Sequence, residues 1–361
     1  MKFFNIDQHV SVIADVAHIL KKLGHEVDDW SLSGHRWVLN KPKPEIWLSD
    51  GTQLTCSGVC TQEVCDKFYE KNKTELEKYD AFIACYPVEF AMLYERWNKP
   101  IIVVNCVRYE HPNTFNPFLW ERLNTFLKKK HSEGMLYYVC NNKGDQFYTH
   151  YYTKIWGMHI PSLCEYTEAR YTGTKDRYVL HDRSPDVGVP RDIVIDLGAI
   201  KGNSGGWRYS WQDLYSHKGV IHFPYHNGSM SIFEQYTANV PMFMPSKSYT
   251  KELFAQDKML SDLTFYRLNR HKPEAKEPDD LNNPNSLRNP EMLDKWIDSF
   301  DFYDQENMKH IQYFDSPDHL NHLLRTVNTH EISHNMAQWN TSRKESVYAR
   351  WKEILTSLET K

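Results

Sequence analysis

Four short stretches of this 361-residue chain carry residues whose types and spacing could do chemistry. The first is GVIHFPYHNGSMSIFEQYTANVPMFMPS, residues 219–246. An apolar strand pattern ends at Phe223, a turn of Pro224, Tyr225, His226, Asn227 and Gly228 follows, and a helix opens at Ser229, Met230 and Ser231. The first amides of a helix are unpaired and carry partial positive charge, so such a terminus binds phosphate, and small residues let a pyrophosphate approach. Glu234 falls one turn in, where a carboxylate can hold the two hydroxyls of a ribose. The plainer reading is a strand–turn–helix in which Ser229 only caps the helix. The second stretch is Asp7-Gln8-His9, just past the short apolar run Phe3–Ile6. Ligands of open α/β sheets bind beyond the carboxyl ends of strands, and either side chain could take a proton from a hydroxyl there. The alternative is that Asp7 caps the following helix and His9 packs beside it.

The third stretch, residues 201–208, is a Gly-rich loop with two cations, Lys201 and Arg208. The fourth, His330-Glu331-Ile332-Ser333-His334, matches the H-E-x-x-H zinc motif. Its surroundings argue against a metalloprotease helix. Asn328, Thr329, Asn335 and Gln338 are polar, Ala337 and Asn340 stand where a longer zinc signature needs other residues, and Glu353 falls in a separate helical pattern. Cys56, Cys60 and Cys65 form a cluster with no strong zinc spacing and read as free thiols.

The elements that must position these residues alternate. Apolar positions 12, 13, 16, 17, 19, 20 and 23 keep helical spacing from Val10 to Leu23, and Gly24 ends that helix. Strand patterns follow at His25–Trp30, Tyr79–Tyr86, Ile101–Cys106 and Met135–Cys140, with a helix at Val88–Trp97. The unbroken β-branched run at Ile101 predicts a parallel strand covered on both faces. A second series has strands at 192–198, 219–223 and 240–244 and helices at 211–217, 229–239 and 249–255. Asp315-Ser316-Pro317 is a helix start, and Ser342–Leu358 is an amphipathic helix. Residues 1–165 are therefore expected as one α/β domain, 166–188 as a linker, 189–330 as a second α/β domain and 331–361 as a closing helical segment. Residues 271–290 read as a surface loop.

Composition bounds the function. Hydrophobic residues make up 40% and charged residues 25%, the balance of a globular protein. The net charge of −4 offers no electrostatic grip on nucleic acid. No apolar run approaches the ~20 residues that span a bilayer, and the N-terminus turns polar at Asp7, unlike a signal peptide. Seven cysteines without a secretory signal suit a reduced cytoplasmic setting, in which the three N-x-S/T sequons carry no glycan. Aromatics at 14% lean toward clefts for bases and sugars.

The stretch from Phe233 to Pro241 resembles the donor-binding passage of GT-B glycosyltransferases, in which a helix bearing an acidic residue leads to a small-x-Pro strand. Leu23-Gly24-His25-Glu26-Val27 is similar to the first βαβ of such enzymes, and the layout is similar over nearly the whole chain. Small cytosolic members from bacteria and large algal DNA viruses are the most alike. Many retaining members carry Glu-x7-Glu; here the second Glu matches Glu234 and His226 stands at the first position. The resemblance implies two Rossmann-like domains facing a cleft, with the C-terminal helix crossing back to the first domain. It implies transfer of a hexose-type sugar from a nucleotide-sugar, UDP-linked before GDP-linked, to a glycan or protein acceptor. Lys201 would neutralise the leaving diphosphate, Tyr225 and His226 would line the sugar pocket with Asn227 and Gly228 in the same turn, and Ser229, Met230 and Ser231 would hold the diphosphate through their amides. Asp7 or His9 would be the base of an inverting reaction. No Asp-x-Asp stands in the donor region, so no metal and no other cofactor is implied. A non-catalytic nucleotide- or sugar-binding protein on the same scaffold is the second reading and an H-E-x-x-H zinc hydrolase the third.

Overall fold

The computed structural model describes residues 1–36, 41–55, 60–181, 184–202, 209–260, 278, 280–286 and 290–360. The chain divides into two compact units, the first made of Met1–Ser162, Lys272–Asn289 and Val347–Lys361, the second of Leu163–His271 and Pro290–Ser346. Each is built on a sheet whose paired strands all run parallel.

In the first unit the chain runs through β1 (Lys2–Asn5), α1 (Val10–Lys22), β2 (Glu26–Asp29), α2 (Gln62–Leu76), β3 (Ala81–Ala84), β4 (Ile101–Asn105), α3 (Pro117–Ser132), β5 (Leu136–Cys140), α4 (Lys143–Thr153) and β6 (Met158–His159). The sheet order is β2-β1-β3-β4-β5-β6. All residues of β3 and β4 are buried, as a parallel strand sandwiched between helices requires. Local chemistry sets the helix ends. Thr61, Asn116 and Asn142 side chains accept from the amides of Val64, Leu119 and Asp145 at the starts of α2, α3 and α4. At the end of α1, Gly24 adopts φ +87°, and the amides of His25 and Gly24 return to the carbonyls of Leu20 and Lys21. Residues Val88–Tyr94 wind as a 3-10 helix instead of the expected α-helix. All seven are buried, so an apolar pattern on every side could not distinguish the two windings. On this core Phe82 and Tyr94 stack with centroids 4.4 Å apart.

The second unit contains β7 (Tyr178–Leu180), β8 (Val194–Asp196), α5 (Leu197–Gly202), α6 (Trp211–Leu214), β9 (Val220–Ile221), α7 (Met230–Thr237), β10 (Met242–Pro245), α8 (Lys247–Ala255), α9 (Leu293–Asp298), β11 (Gln312–Phe314) and α10 (Pro317–Thr326). The sheet order is β11-β10-β9-β7-β8. The segment 166–188, expected as a linker, therefore contributes a strand: β7 lies between β9 and β8 and is wholly buried. Three apolar residues in polar surroundings are too few to show a period. The expected surface loop 271–290 lies largely outside the described residues, as do Cys56 and residues 203–208 of the Gly-rich loop.

The last helix, α11, is one continuous element, Thr329–Glu359, which contains both the H-E-x-x-H residues and the segment expected to be a separate helix. Its portion from Val347 belongs with the first unit, where Val347, Trp351, Ile354, Leu355 and Leu358 are buried. There the Tyr137 hydroxyl bonds to the Ser357 carbonyl and hydroxyl at 3.2 and 3.0 Å, and Arg350 donates to the carbonyl of His159. Among the described residues no helix is long and apolar enough to cross a membrane.

The close spacing of β9 and β10 depends on Gly219. A Cβ there would lie 2.6 Å from the Pro241 carbonyl oxygen, an atom of the neighbouring backbone. Gly219→Ala is expected to lower the thermal unfolding midpoint by the equivalent of about 1–3 kcal/mol. Gly198→Ala, where a Cβ meets nothing within 4 Å, should not; equal midpoints for the two variants would show that the sheet yields at Gly219.

Candidate functional site

The carboxyl ends of β1, β3 and β4 bring together the first group of polar residues. Asp7 leaves β1 fully buried, with its main chain fastened on both sides. The Leu32 amide donates to the Asp7 carbonyl at 2.6 Å, and the Gln8 amide donates to Tyr86 O at 2.6 Å. One carboxylate oxygen accepts from the His9 amide at 3.2 Å, while the other makes no well-formed hydrogen bond. His9 is the residue that opens α1, yet its ring makes no capping bond and its buried Nδ1 has no partner. The Asp7 carboxyl thus meets the His9 main chain and not its imidazole, so the two are neighbours without forming a dyad. The His9 ring stands edge-on to Tyr86 with centroids 6.4 Å apart, and Tyr86 stacks on His111, its hydroxyl 2.6 Å from His111 Nδ1. His9, Tyr86 and His111 therefore follow one another along the ends of three adjacent strands.

Burial separates the proton affinities of Asp7 and His9. It disfavours the charged form of each, which raises an acid and lowers a base. Burial, reinforced by the negative charge of Asp29, pushes Asp7 up to about 7, against the opposing pull of the nearby polar groups of Ser31, His9 and Asn5. Burial, reinforced by His35, brings His9 down to about 4. At neutral pH His9 is neutral and Asp7 sits close to half-ionised.

A second buried cluster follows β4 and β5. Arg108 pairs with Asp145 at 2.9 Å and lies over the Tyr148 ring at 4.0 Å, and Tyr148 donates to Glu110 at 2.9 Å. Burial raises Glu110 to about 7. Arg108, Glu110 and Asp145 were not singled out by sequence, whereas Tyr148 opens the Tyr148–Tyr152 run that reads as core and cleft wall. The signal was present, since charged residues directly after an apolar parallel strand fall at its ligand-binding end.

In the second unit, β9 leads into the turn Pro224–Gly228 and α7, as expected. The Ser229 hydroxyl does not cap the helix; it bonds to the Ser231 hydroxyl at 2.8 Å. Ser229 gives no side-chain cap and the first turn of α7 holds no acidic residue, so no side-chain carboxylate there offsets the partial positive charge of the helix end. The turn braces itself: His226 is buried and its Nδ1 accepts from the Gly228 amide at 3.1 Å, and Asn227 is fully buried. Tyr225 is half-buried beside them. His226, expected at the sugar pocket, is buried and braces the turn.

Glu234 is placed differently from the expectation of an open face. It is buried, its carboxylate accepting from the Tyr166 hydroxyl and, at 3.3 Å, from Trp211 Nε1. Helical spacing puts Glu234 one turn into α7, but the packing of α6 and the turn at Glu165–Thr167 decides what covers it. Lys201 also differs. Helix α5 starts at Leu197, where the strand was expected to continue, because Leu197 and Ile200 both enter the core. Lys201 lies in the last turn of α5, after the edge strand β8, its Nζ 5.9 Å from the centre of the Tyr209 ring. Two histidines not singled out by sequence complete the sheet's carboxyl edge. His181 and His222 follow β7 and β9 and stack at 4.6 Å, and His222 Nε2 meets Gln235 Oε1 at 2.5 Å. Burial, then His181, holds His222 well below the usual histidine range.

The H-E-x-x-H histidines are exposed on α11, His334 bonding to Gln338 at 2.9 Å. Among the described residues no three His, Cys, Asp or Glu side chains are placed to hold a metal ion.

The raised Asp7 pKa carries a stability consequence. Between about pH 4 and 7 the folded state keeps a proton that the unfolded chain releases, so this group's contribution to stability falls as pH rises through that window. Asp7→Asn removes the cost, of order a few kcal/mol, above pH 7. We expect its unfolding midpoint to exceed that of the unaltered protein at pH 8, by less at pH 5, and to converge on it toward pH 4 and below; a variant less stable at both pH 8 and pH 5 would show that the carboxylate is fully compensated. His9 acts oppositely, losing stability as pH falls from about 6.5 to 4, but that contribution is common to both proteins.

No protein-family profile matches the chain. No curated protein matches it. Among solved structures the chain is similar to the glycosyltransferase SnogD from Streptomyces nogalater, at 10% identity and a TM-score of 0.44 over 99% of each chain. It is also similar to UGT73P12 from Glycyrrhiza uralensis, solved with glycyrrhetinic acid 3-O-monoglucuronide, at 10% identity and a TM-score of 0.43 over 100% of this chain and 96% of that one. Its own architecture is α/β, two parallel sheets each flanked by helices.

Proposed function

We propose that this protein is a metal-independent glycosyltransferase of the GT-B type, moving a hexose-type sugar from a nucleotide-sugar donor, UDP-linked before GDP-linked, to a hydroxyl of a glycan or protein acceptor in the cytoplasm. The observation that carries the reading is the β9–turn–α7 passage. It ends in a helix terminus with no Ser229 cap and no first-turn acid, within the stretch whose sequence resembles the donor region of that superfamily.

In this reading the amides of Ser229, Met230 and Ser231 hold the donor diphosphate, and Gly228 lets it approach. Charge grows on the leaving diphosphate as the glycosidic bond breaks, and donors fixed in advance stabilise it. Lys201 supplies a cation to the same end of the donor. Glu234 acts at the ribose by exchanging its bonds to Tyr166 and Trp211 for bonds to the sugar hydroxyls, while Tyr225, His226 and Asn227 shape the turn. In the first unit Asp7 is the base. A proton affinity near neutrality lets it be ionised in the resting enzyme and still accept a proton from the attacking hydroxyl, whereas His9 is too weakly basic and serves as a neutral hydrogen-bond acceptor.

A ligand that binds only the folded state raises the unfolding midpoint. Screened against UDP, GDP, ADP and dTDP, the protein should be stabilised by one of them, and Glu234→Ala should reduce that shift. No shift with any nucleotide would sink the reading. Once a donor is found, the rate should rise with pH to an apparent pKa near 7 and Asp7→Asn should lower kcat by at least ~100-fold; an unchanged profile in that variant transfers the role of base elsewhere.

A further inference from the structure

Cys60 and Cys65 lie apart from all the residues used above, and their surroundings are those of a reactive thiol pair. Cys65 sits at the start of α2, one turn from the Thr61 cap, where the helix end favours a negative charge. The Arg122 guanidinium on α3 reaches its sulfur at 3.7 Å, and the same sulfur lies 4.0 Å from the Cys60 carbonyl oxygen, to which the thiol donates. Arg122 is itself held in place, donating to the carbonyl of Cys60 and, at 3.1 Å, to Gln62, with Glu95 at 3.6 Å. Arg122, Gln62 and Glu95 also line a groove of about 690 Å³ along α3. Both thiols are buried, and Arg122 and Gln62 are shared between their surroundings and the groove lining.

We propose that Cys65 and Cys60 form a peroxide-reactive pair reached from this groove, with Cys65 as the attacking and Cys60 as the resolving thiol. The neighbouring Cys60 side chain and the Arg122 charge hold Cys65 below the usual thiol range, while burial holds Cys60 well above it. The chemistry balances with hydrogen peroxide as oxidant. The Cys65 thiolate attacks one peroxide oxygen, the O–O bond breaks, and the sulfur loses two electrons to become a sulfenic acid as hydroxide leaves. Cys60 then attacks that sulfur, a disulfide forms, and the expelled hydroxide takes the Cys60 proton and leaves as water. Closing the bond removes the sulfur acceptor of Arg122 and so changes one wall of the groove.

The full chain would be treated with limiting hydrogen peroxide at pH 7, alkylated after denaturation and mapped by mass spectrometry. A Cys60–Cys65 linkage should form first, while Cys85, Cys106, Cys140 and Cys164 stay alkylatable; these are buried too, and burial holds the Cys85 and Cys106 thiols above the usual range. Cys60→Ser should leave Cys65 as a sulfenic acid that dimedone traps. Arg122→Gln should slow the reaction about tenfold, since each unit of pKa rise costs a factor of ten in thiolate. If that variant does not fold, the pH dependence of the unaltered protein replaces it. The Cys65 rate should level off below the ~8.5 of an ordinary thiol. Oxidation of the other buried cysteines ahead of Cys65, a Cys56–Cys65 linkage, or a rate still climbing above pH 8.5 would overturn the proposal.

Discussion

Parallel pairing with both faces covered is the constraint on which the rest of this structure depends. A parallel strand needs a crossover, the crossovers here are mostly helical, and the helices leave only the strand ends open to polar groups. In the first unit β3 and β4 are buried at every position, and the charged residues gather where they stop: Asp7 after β1, Arg108 and Glu110 after β4, Asp145 after β5. In the second unit His181 and His222 follow β7 and β9 in the same way. Charges this deeply buried persist only when paired or neutralised. Arg108 and Asp145 take the first route, and Asp7 and Glu110 take the second, their proton affinities raised toward neutrality.

The same desolvation therefore produces opposite chemistry in two side chains two residues apart. Asp7 becomes a base suited to neutral pH, and His9 ceases to be one. Their type and spacing are equivalent as sequence; what distinguishes them is that water is withdrawn from both, which disfavours an anion in one and a cation in the other. The neighbouring Asp29, itself paired with the buried Arg36 at 3.2 Å, adds to the effect on Asp7.

At the other candidate site the packing of aromatic residues decides. Tyr166 and Trp211 meet edge-on at 5.6 Å over Glu234 and donate to it. Lys201 reaches the same neighbourhood indirectly. It lies against Tyr209, which packs with Trp211 on the small cluster of Leu197, Ile200, Leu214 and Tyr215. A ribose at Glu234 would exchange hydrogen bonds with these aromatics, a replacement of one donor set by another that costs little in itself.

Hydrophobic periodicity and caps were enough to determine the alternation of strands and helices, the Schellman end of α1 at Gly24, the Ser316 start of α10 and the strand–turn–helix passage ending in Ser229, because each depends on residues within a few positions of one another. The strand β7 inside an apparent linker, the 3-10 winding of Val88–Tyr94 and the single continuous α11 were not legible, since three apolar residues, a uniformly apolar run and a polar helix face show no distinctive period. Sequence could name the side chains by type and spacing, but tertiary structure alone decided their state: that Ser229 turns to Ser231, that Glu234 lies under Tyr166 and Trp211, and that Asp7 rather than His9 keeps a proton affinity near neutrality. The physical reason is that spacing along the chain specifies local geometry, whereas solvation and hydrogen-bond partners are set by segments far away in sequence.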